Sequence, residues 1–462
     1  MTTATRTLEA GGGRTWQYEL GTLLVPENRD VADSRLIGVG FAHFRSTSEQ
    51  PAAPPMFRLP GGPGGSYVSR LEPGSRGRDG LCAELEQFLP WCDVVFVDQR
   101  GFSEQGDILR AVFQVPPRDP QRPMTTADWV AASEACARAA VAEFEDSEVD
   151  LRGYHVKECA HDVAALARAL DYESIILNGT SFGSQWSFAV MRLHPDLVAR
   201  ALLSGVEPLD HGYDMPSHVF AAVQRMWQEI DADPRFAPHL PEGGMAEAAR
   251  VAIERLEREP LRIEVERTDG TTKTLGVFGP AAFPWNDPDE ILDLFHGRTE
   301  RWKRQAMRER VARGQRIPLI GPSIDTSLGV TPARRYRLWN DPATRYLGRN
   351  NFAGGLATAA IWPSPDVGDD FRTPELCDIP VVFAQGDWDT KTPIENTYEI
   401  APFFPRSRVV IAERGGHGVL GSIAEQCPEA WAELLEFVQT GDLDGIPARV
   451  RLAPSRTFTP PS

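Results

Sequence analysis

The 462-residue chain carries 65 acidic against 48 basic side chains, a net charge of −17, with 42% hydrophobic, 24% charged and 9% aromatic residues. These proportions exclude intrinsic disorder and fibrous repeats, and the negative charge repels a phosphate backbone, so nucleic acid is set aside as a partner. The length admits two or three domains, or one large core with a sizeable insertion.

No run approaches the roughly 18 consecutive apolar residues of a membrane span, and the start has no apolar stretch behind a basic end. No membrane partner is expected, and the expected location is cytoplasmic. From there the chain alternates strand-like runs with helical patterns, the mark of a mostly parallel sheet covered by helices. Segments 16–25, 36–44, 56–59, 93–98, 174–178 and 199–206 read as strands. Segments 127–143 and 156–170 repeat apolar residues at helical spacing, and 185–193 follows a strand directly, as a crossover helix should.

The rhythm breaks from 207 to 374, where helical patterns at 218–230 and 246–258 precede two strand-like runs flanking Asp269-Gly270, a hairpin signal. It resumes with strands at 380–384 and 408–412 and helices at 394–401 and 423–439. Residues 1–206 and 375–462 therefore read as two parts of one α/β core, and 207–374 as an inserted lid. The run 298–316, with eight basic residues, reads as a solvated helix face. Only the tail from Pro454 reads as irregular.

The six cysteines, Cys82, Cys92, Cys136, Cys159, Cys377 and Cys427, form no C-x-x-C pair and no Cys/His cluster. No metal and no cofactor are expected, and buried free thiols fit this chain better than disulfides.

Gly179-Thr180-Ser181-Phe182-Gly183 places G-x-S-x-G between a strand and a helix, the context in which a sharp turn lifts a serine hydroxyl above a sheet. A serine nucleophile needs a base, and the base needs an orienting carboxylate. Gly386-Asp387-Trp388-Asp389 and Gly415-Gly416-His417-Gly418 follow later strands in the order serine, acid, histidine. Spacing alone leaves Asp387 and Asp389 equal as the acid. Pro60-Gly61-Gly62-Pro63-Gly64-Gly65, after the strand at 56–59, offers backbone N–H groups to a developing oxyanion.

Together these residues resemble the proline iminopeptidase and tripeptidyl aminopeptidase family of α/β-hydrolases. The resemblance runs from the entry strand at 21–29 through Gly61-Gly62-Pro63-Gly64, Asp98-Gln99-Arg100-Gly101, Gly179–Gly183, Gly386-x-x-Asp389-x-x-Thr392-Pro393 and Gly416-His417. It implies an α/β-hydrolase fold with an eight-stranded, mostly parallel sheet, helices on both faces and a large inserted lid. It also implies Ser181 as nucleophile, Asp389 rather than Asp387 as orienting acid, and His417 as general base. Gly62 and Phe182 would supply the oxyanion-hole N–H groups. One departure is Pro60, where the iminopeptidase loop usually has histidine.

The family's exopeptidases recognise a free substrate amine with acidic residues near the insertion. Glu207 holds that place here, with Asp210 and Asp214 close behind. The expected activity is therefore that of a serine hydrolase working through an acyl-enzyme, an aminopeptidase on short peptides. An esterase or lactonase would use the same machinery, and a ligand-binding protein could keep the same shell.

Overall fold

The computed structural model describes residues 1–113, 119–266, 269–309 and 315–460. Its main sheet is built from β1 (Thr2–Glu9), β2 (Thr15–Pro26), β3 (Leu36–Phe44), β4 (Met56–Leu59), β5 (Val94–Val97), β6 (Ile175–Thr180), β7 (Val198–Ser204), β8 (Val381–Gly386), β9 (Ser407–Glu413) and β10 (Arg449–Arg451). The spatial order is β1-β2-β3-β5-β4-β6-β7-β8-β9-β10. The pairs β1–β2, β2–β3 and β3–β5 are antiparallel, and all the others are parallel.

The sheet thus has ten strands, not the expected eight. Both additions lie at its edges. In β1 only Leu8 is buried, so no alternation of apolar residues marks it, and β10 has three residues.

The central strands are buried on both faces, which explains their unbroken apolar runs. Alternate residues enter different cores. Phe57, Val95, Leu177, Leu203 and Phe383 join Val163 and Trp186 on one face, while Met56, Val94, Ile176, Leu202 and Val382 join Leu85, Phe88 and Phe437 on the other. At β9 the chain enters two helices, Val419–Gln426 and Pro428–Thr440, where the sequence pattern suggests one. Pro428 has no N–H to continue the ladder and starts a new helix instead.

The long excursion between β5 and β6 departs from a simple crossover. Strand Arg110–Phe113 pairs with Gln315–Pro318, and helix Thr126–Ala142 packs on helix Asn350–Thr358 while Ala137 and Ala140 join the core on one face of the sheet. A third core, with Val223, Trp227, Ile253, Phe278, Ile291 and Trp302, lies within 207–374 and takes in Trp388 from the loop after β8. The hairpin Leu261–Glu266 with Thr272–Phe278 flanks Asp269-Gly270 as its sequence implies. Of the basic run, helix Glu300–Glu309 buries Trp302 and Ala306, while residues 310–314 lie outside the described residues.

All six cysteines are free. Four are buried, but Cys377 and Cys427 are half-buried, each packed against one of the two cores of the sheet. Among the described residues no helix is long and apolar enough to cross a membrane.

Candidate active site

Four successive parallel strands deliver the singled-out side chains to one edge of the sheet: Ser181 directly after β6, Glu207 after β7, Asp389 after β8 and His417 after β9. This is the edge where open α/β sheets bind ligands.

Ser181 stands at φ 60°, ψ −131°, immediately before helix Phe182–Leu193. A non-glycine residue in such a conformation costs about 1–3 kcal/mol, so the surroundings must hold it. Ser181 N donates to Ser204 O at 3.1 Å, and Ser184 caps the turn from the other side, its N and Oγ each 2.7 Å from Ser181 O. The flanking glycines are demanded by packing: a Cβ on Gly179 would lie 2.2 Å from Gly183 O, and one on Gly183 would lie 2.1 Å from Leu59 O.

Asp389, only 2% exposed, accepts from His417 Nδ1 at 2.8 Å. Its remaining acceptor capacity is filled by Thr392 Oγ1 at 2.6 Å, Lys391 N at 2.8 Å, Thr392 N at 3.1 Å and Gln385 Nε2 at 3.2 Å. Burial pushes this carboxyl up, but the His417 bond and charge, with Thr392 and Lys391, outweigh it and hold Asp389 below the usual carboxylate range. Gln385 also accepts from Val206 N at 3.0 Å and donates to Thr392 O at 2.6 Å, tying the acid loop to the end of β7.

Asp387 faces elsewhere. Its Oδ1 accepts from Arg414 N at 2.7 Å and its carbonyl from Arg225 Nε at 2.7 Å, so it braces the histidine loop from outside. Burial raises its pKa. The geometry therefore separates two aspartates that spacing leaves equal.

The His417 side chain is 35% exposed, so one edge of the ring stays open while Nδ1 is engaged. That ring and the nucleophile turn converge at Gly205, where the position of a Cβ would be 3.1 Å from His417 Cε1 and 3.2 Å from Ser181 N. On the opposite side a Cβ on Gly61 would be 3.6 Å from Ser181 Oγ, so the glycine-rich loop lies against the hydroxyl.

Gln99, fully buried, clamps that loop. Its Nε2 donates to Gly61 O at 3.2 Å while its Oε1 accepts from Gly64 N at 2.7 Å, with Gly62 between the two holds. Next to it Asp98, pushed up to about 7 by burial, accepts from Ser103 Oγ at 2.9 Å. Phe182 opens its helix, where N–H groups lack intrahelical partners, and its ring stacks on Trp186.

Glu207 donates its backbone N–H to Ser184 Oγ at 2.9 Å, which fixes it to the nucleophile turn. Burial, followed by Asp214, Asp325 and Asp389, raises its carboxyl well above the usual range. Burial likewise raises Asp214 to about 6 and Asp325 to about 7. Asp210 does not join them: its carboxylate accepts from Thr331 N at 2.6 Å and Thr331 Oγ1 at 2.8 Å and anchors the helix Pro332–Asn340. Sequence reasoning missed Asp325, which lies more than a hundred residues from Glu207, and the supports Gln385 and Gln99. Only Gln99 stands in a motif that could have signalled it.

Residues 345–448, which include Asp389 and His417, match the family described as TAP-like proteins. The chain has an α/β-hydrolase fold. No curated protein matches the hydrolase in sequence. Among solved structures it is similar to proline iminopeptidase from Mycobacterium smegmatis, at 15% identity and TM-score 0.40, over 92% of this chain and 99% of that one. It is also similar to a proline iminopeptidase-related protein from Thermus thermophilus, at 19% identity and TM-score 0.38, over 91% of this chain and 98% of that one. A thermophilic esterase from Thermogutta terrifontis matches at 16% identity and TM-score 0.36, over 91% and 99% of the two chains. Scores this low say nothing about substrate.

Proposed function

We propose that this hydrolase is a cytoplasmic serine aminopeptidase that releases N-terminal residues from short peptides. The observation that carries the reading is the joining, at one sheet edge, of the Asp389–His417 pair beside Ser181 with a group of desolvated carboxylates led by Glu207.

In this reading Ser181 Oγ attacks the scissile carbonyl, and His417 takes its proton through Nε2 while Asp389 holds Nδ1–H. The oxyanion receives N–H bonds from Gly62 and Phe182, and His417 then protonates the leaving amine. Water hydrolyses the acyl-enzyme by the same path. Glu207, tied to the nucleophile turn through Ser184, pairs with the α-ammonium group of the substrate, assisted by the field of Asp214. A cation restores to these buried groups the ionised form that burial disfavours.

The test compares peptide anilides with free and with acetylated N-termini, beside short-chain esters, on wild type and Glu207→Gln. Truncating one member of a desolvated charge pair costs about 2–5 kcal/mol, so acetylation should lower kcat/KM at least roughly tenfold. Glu207→Gln should slow free-amine substrates and leave blocked ones nearly unchanged. Activity on esters alone would replace the peptidase by an esterase or lactonase, and turnover of none of the three would favour a ligand-binding protein.

A further inference from the structure

A cavity of about 300 Å³ lies between helix Thr126–Ala142, from the excursion between β5 and β6, and helices Ile320–Leu328 and Asn350–Thr358. Its walls are aromatic, from Phe113, Trp129, Trp362 and Tyr213, and its polar groups include Asp325 and Asn350. Tyr213 is 7% exposed, and its hydroxyl has no hydrogen-bond partner. The buried Asn350 Oδ1 has none either. The Asp325 carboxyl meets burial and the field of Asp214, and no donor among the described residues.

One wall of the cavity packs closely against the aromatic residues, at a cost in helix stability. Gly354 and Gly355 sit side by side in a helix, where glycine is unfavourable relative to alanine. A Cβ on Gly355 would be 2.4 Å from the Tyr213 hydroxyl, and one on Gly354 would be 3.0 Å from Trp129 Nε1. Alanines at these positions would push the two aromatic walls apart.

The cavity is also in reach of the nucleophile. Helix Ile320–Leu328 starts over the glycine-rich loop, where a Cβ on Gly64 would lie 3.4 Å from Pro318 Cβ and one on Gly321 would lie 3.7 Å from Pro63 O. Asp325 follows Gly321 by four residues, about 6 Å along the helix axis. Its field also acts on Glu207, which is bonded to the nucleophile turn.

Resting on the peptidase reading above, we propose that this cavity is a subsite for a basic side chain of the peptide, a lysine or an arginine. A carboxylate and two unpaired oxygen atoms call for a group that brings several donors, and an ammonium or guanidinium group brings three to five. The aromatic walls suit both the apolar stem and the charge it carries. The α-ammonium group is provided for separately, because Glu207 is the carboxylate bonded into the nucleophile turn.

The experiment measures binding to the full chain by calorimetry with two amine-blocked probes, Nα-acetyl-lysine methylamide and Nα-acetyl-norleucine methylamide. These differ only in the terminal cation. The lysine probe should bind at least tenfold more tightly, and Asp325→Asn should remove that advantage while leaving norleucine binding unchanged. Tyr213→Phe, which deletes one oxygen from the cavity wall, should reduce the advantage several-fold. Equal binding of the two probes, or a lysine advantage that survives in a folded Asp325→Asn protein, would overturn the proposal. Since the readout is binding and not turnover, the result stands apart from the peptidase reading, whose failure would show instead as equal turnover of free and acetylated anilides.

Discussion

The sheet edge that carries Asp389 and the aromatic cavity that carries Asp325 use carboxylates in opposite ways. Asp389 receives donors from His417, Thr392, Lys391 and Gln385, and its charge is held in place before any substrate arrives. Asp325, half-buried, has the field of another carboxylate upon it, and burial raises its pKa to about 7. A saturated buried charge belongs to machinery that is already assembled, whereas an unsaturated one marks where a ligand completes the structure. The backbone differs too: the strained turn at Ser181 is tied down by Ser184 and Ser204, while Gly354 and Gly355 let Tyr213 and Trp129 pack directly against their helix.

The sharpest way to break this contrast is to disturb the saturated carboxylate. Asp389→Asn leaves the shape and misplaces the proton on His417, so kcat/KM should fall by about 10⁴, the guide from serine proteases. Asp387→Asn, which touches only the brace to Arg414 and the histidine loop, should cost roughly tenfold or less. If steady-state kinetics give the reverse order, the acid has been misassigned.

A smaller effect should follow from loosening the loop that carries Gly62. Gln99→Met keeps the volume of the side chain and removes both holds on Gly61 and Gly64. Deleting an oxyanion donor outright costs about 10²–10³ in kcat, so misaligning one should cost about 10–100-fold, with KM changing little. Gln99→Glu retains the acceptor for Gly64 N and should fall between. An unchanged kcat in a folded Gln99→Met protein would show that the clamp does not position the donor.

The gathering of Ser181, Asp389 and His417 at one sheet edge was largely legible in the sequence because these residues follow strands in a fixed chain order and sit in short motifs with glycines at obligatory positions. Ser181, Asp389 and His417 are each announced within a few residues. Asp387 against Asp389 was not decidable from spacing, since both lie on one loop and only hydrogen bonds tell them apart. The aromatic cavity left no local trace: Trp129, Tyr213, Asp325 and Asn350 come from four separate stretches of chain, and the helix carrying Trp129 carries the same apolar spacing as a helix covering the sheet. The edge strand β1 escaped for the converse reason, being strand in hydrogen bonding but exposed in side chain.

The claim on which all else depends is that Ser181 is the nucleophile. A peptidyl phosphonate that reacts only with an activated serine tests it directly, with the site of attachment read by peptide mass mapping. The hydrolase should take up one equivalent, on Ser181, and Ser181→Ala should take up none while melting like the wild type. Labelling of a different serine, or undiminished labelling of Ser181→Ala, would contradict the account.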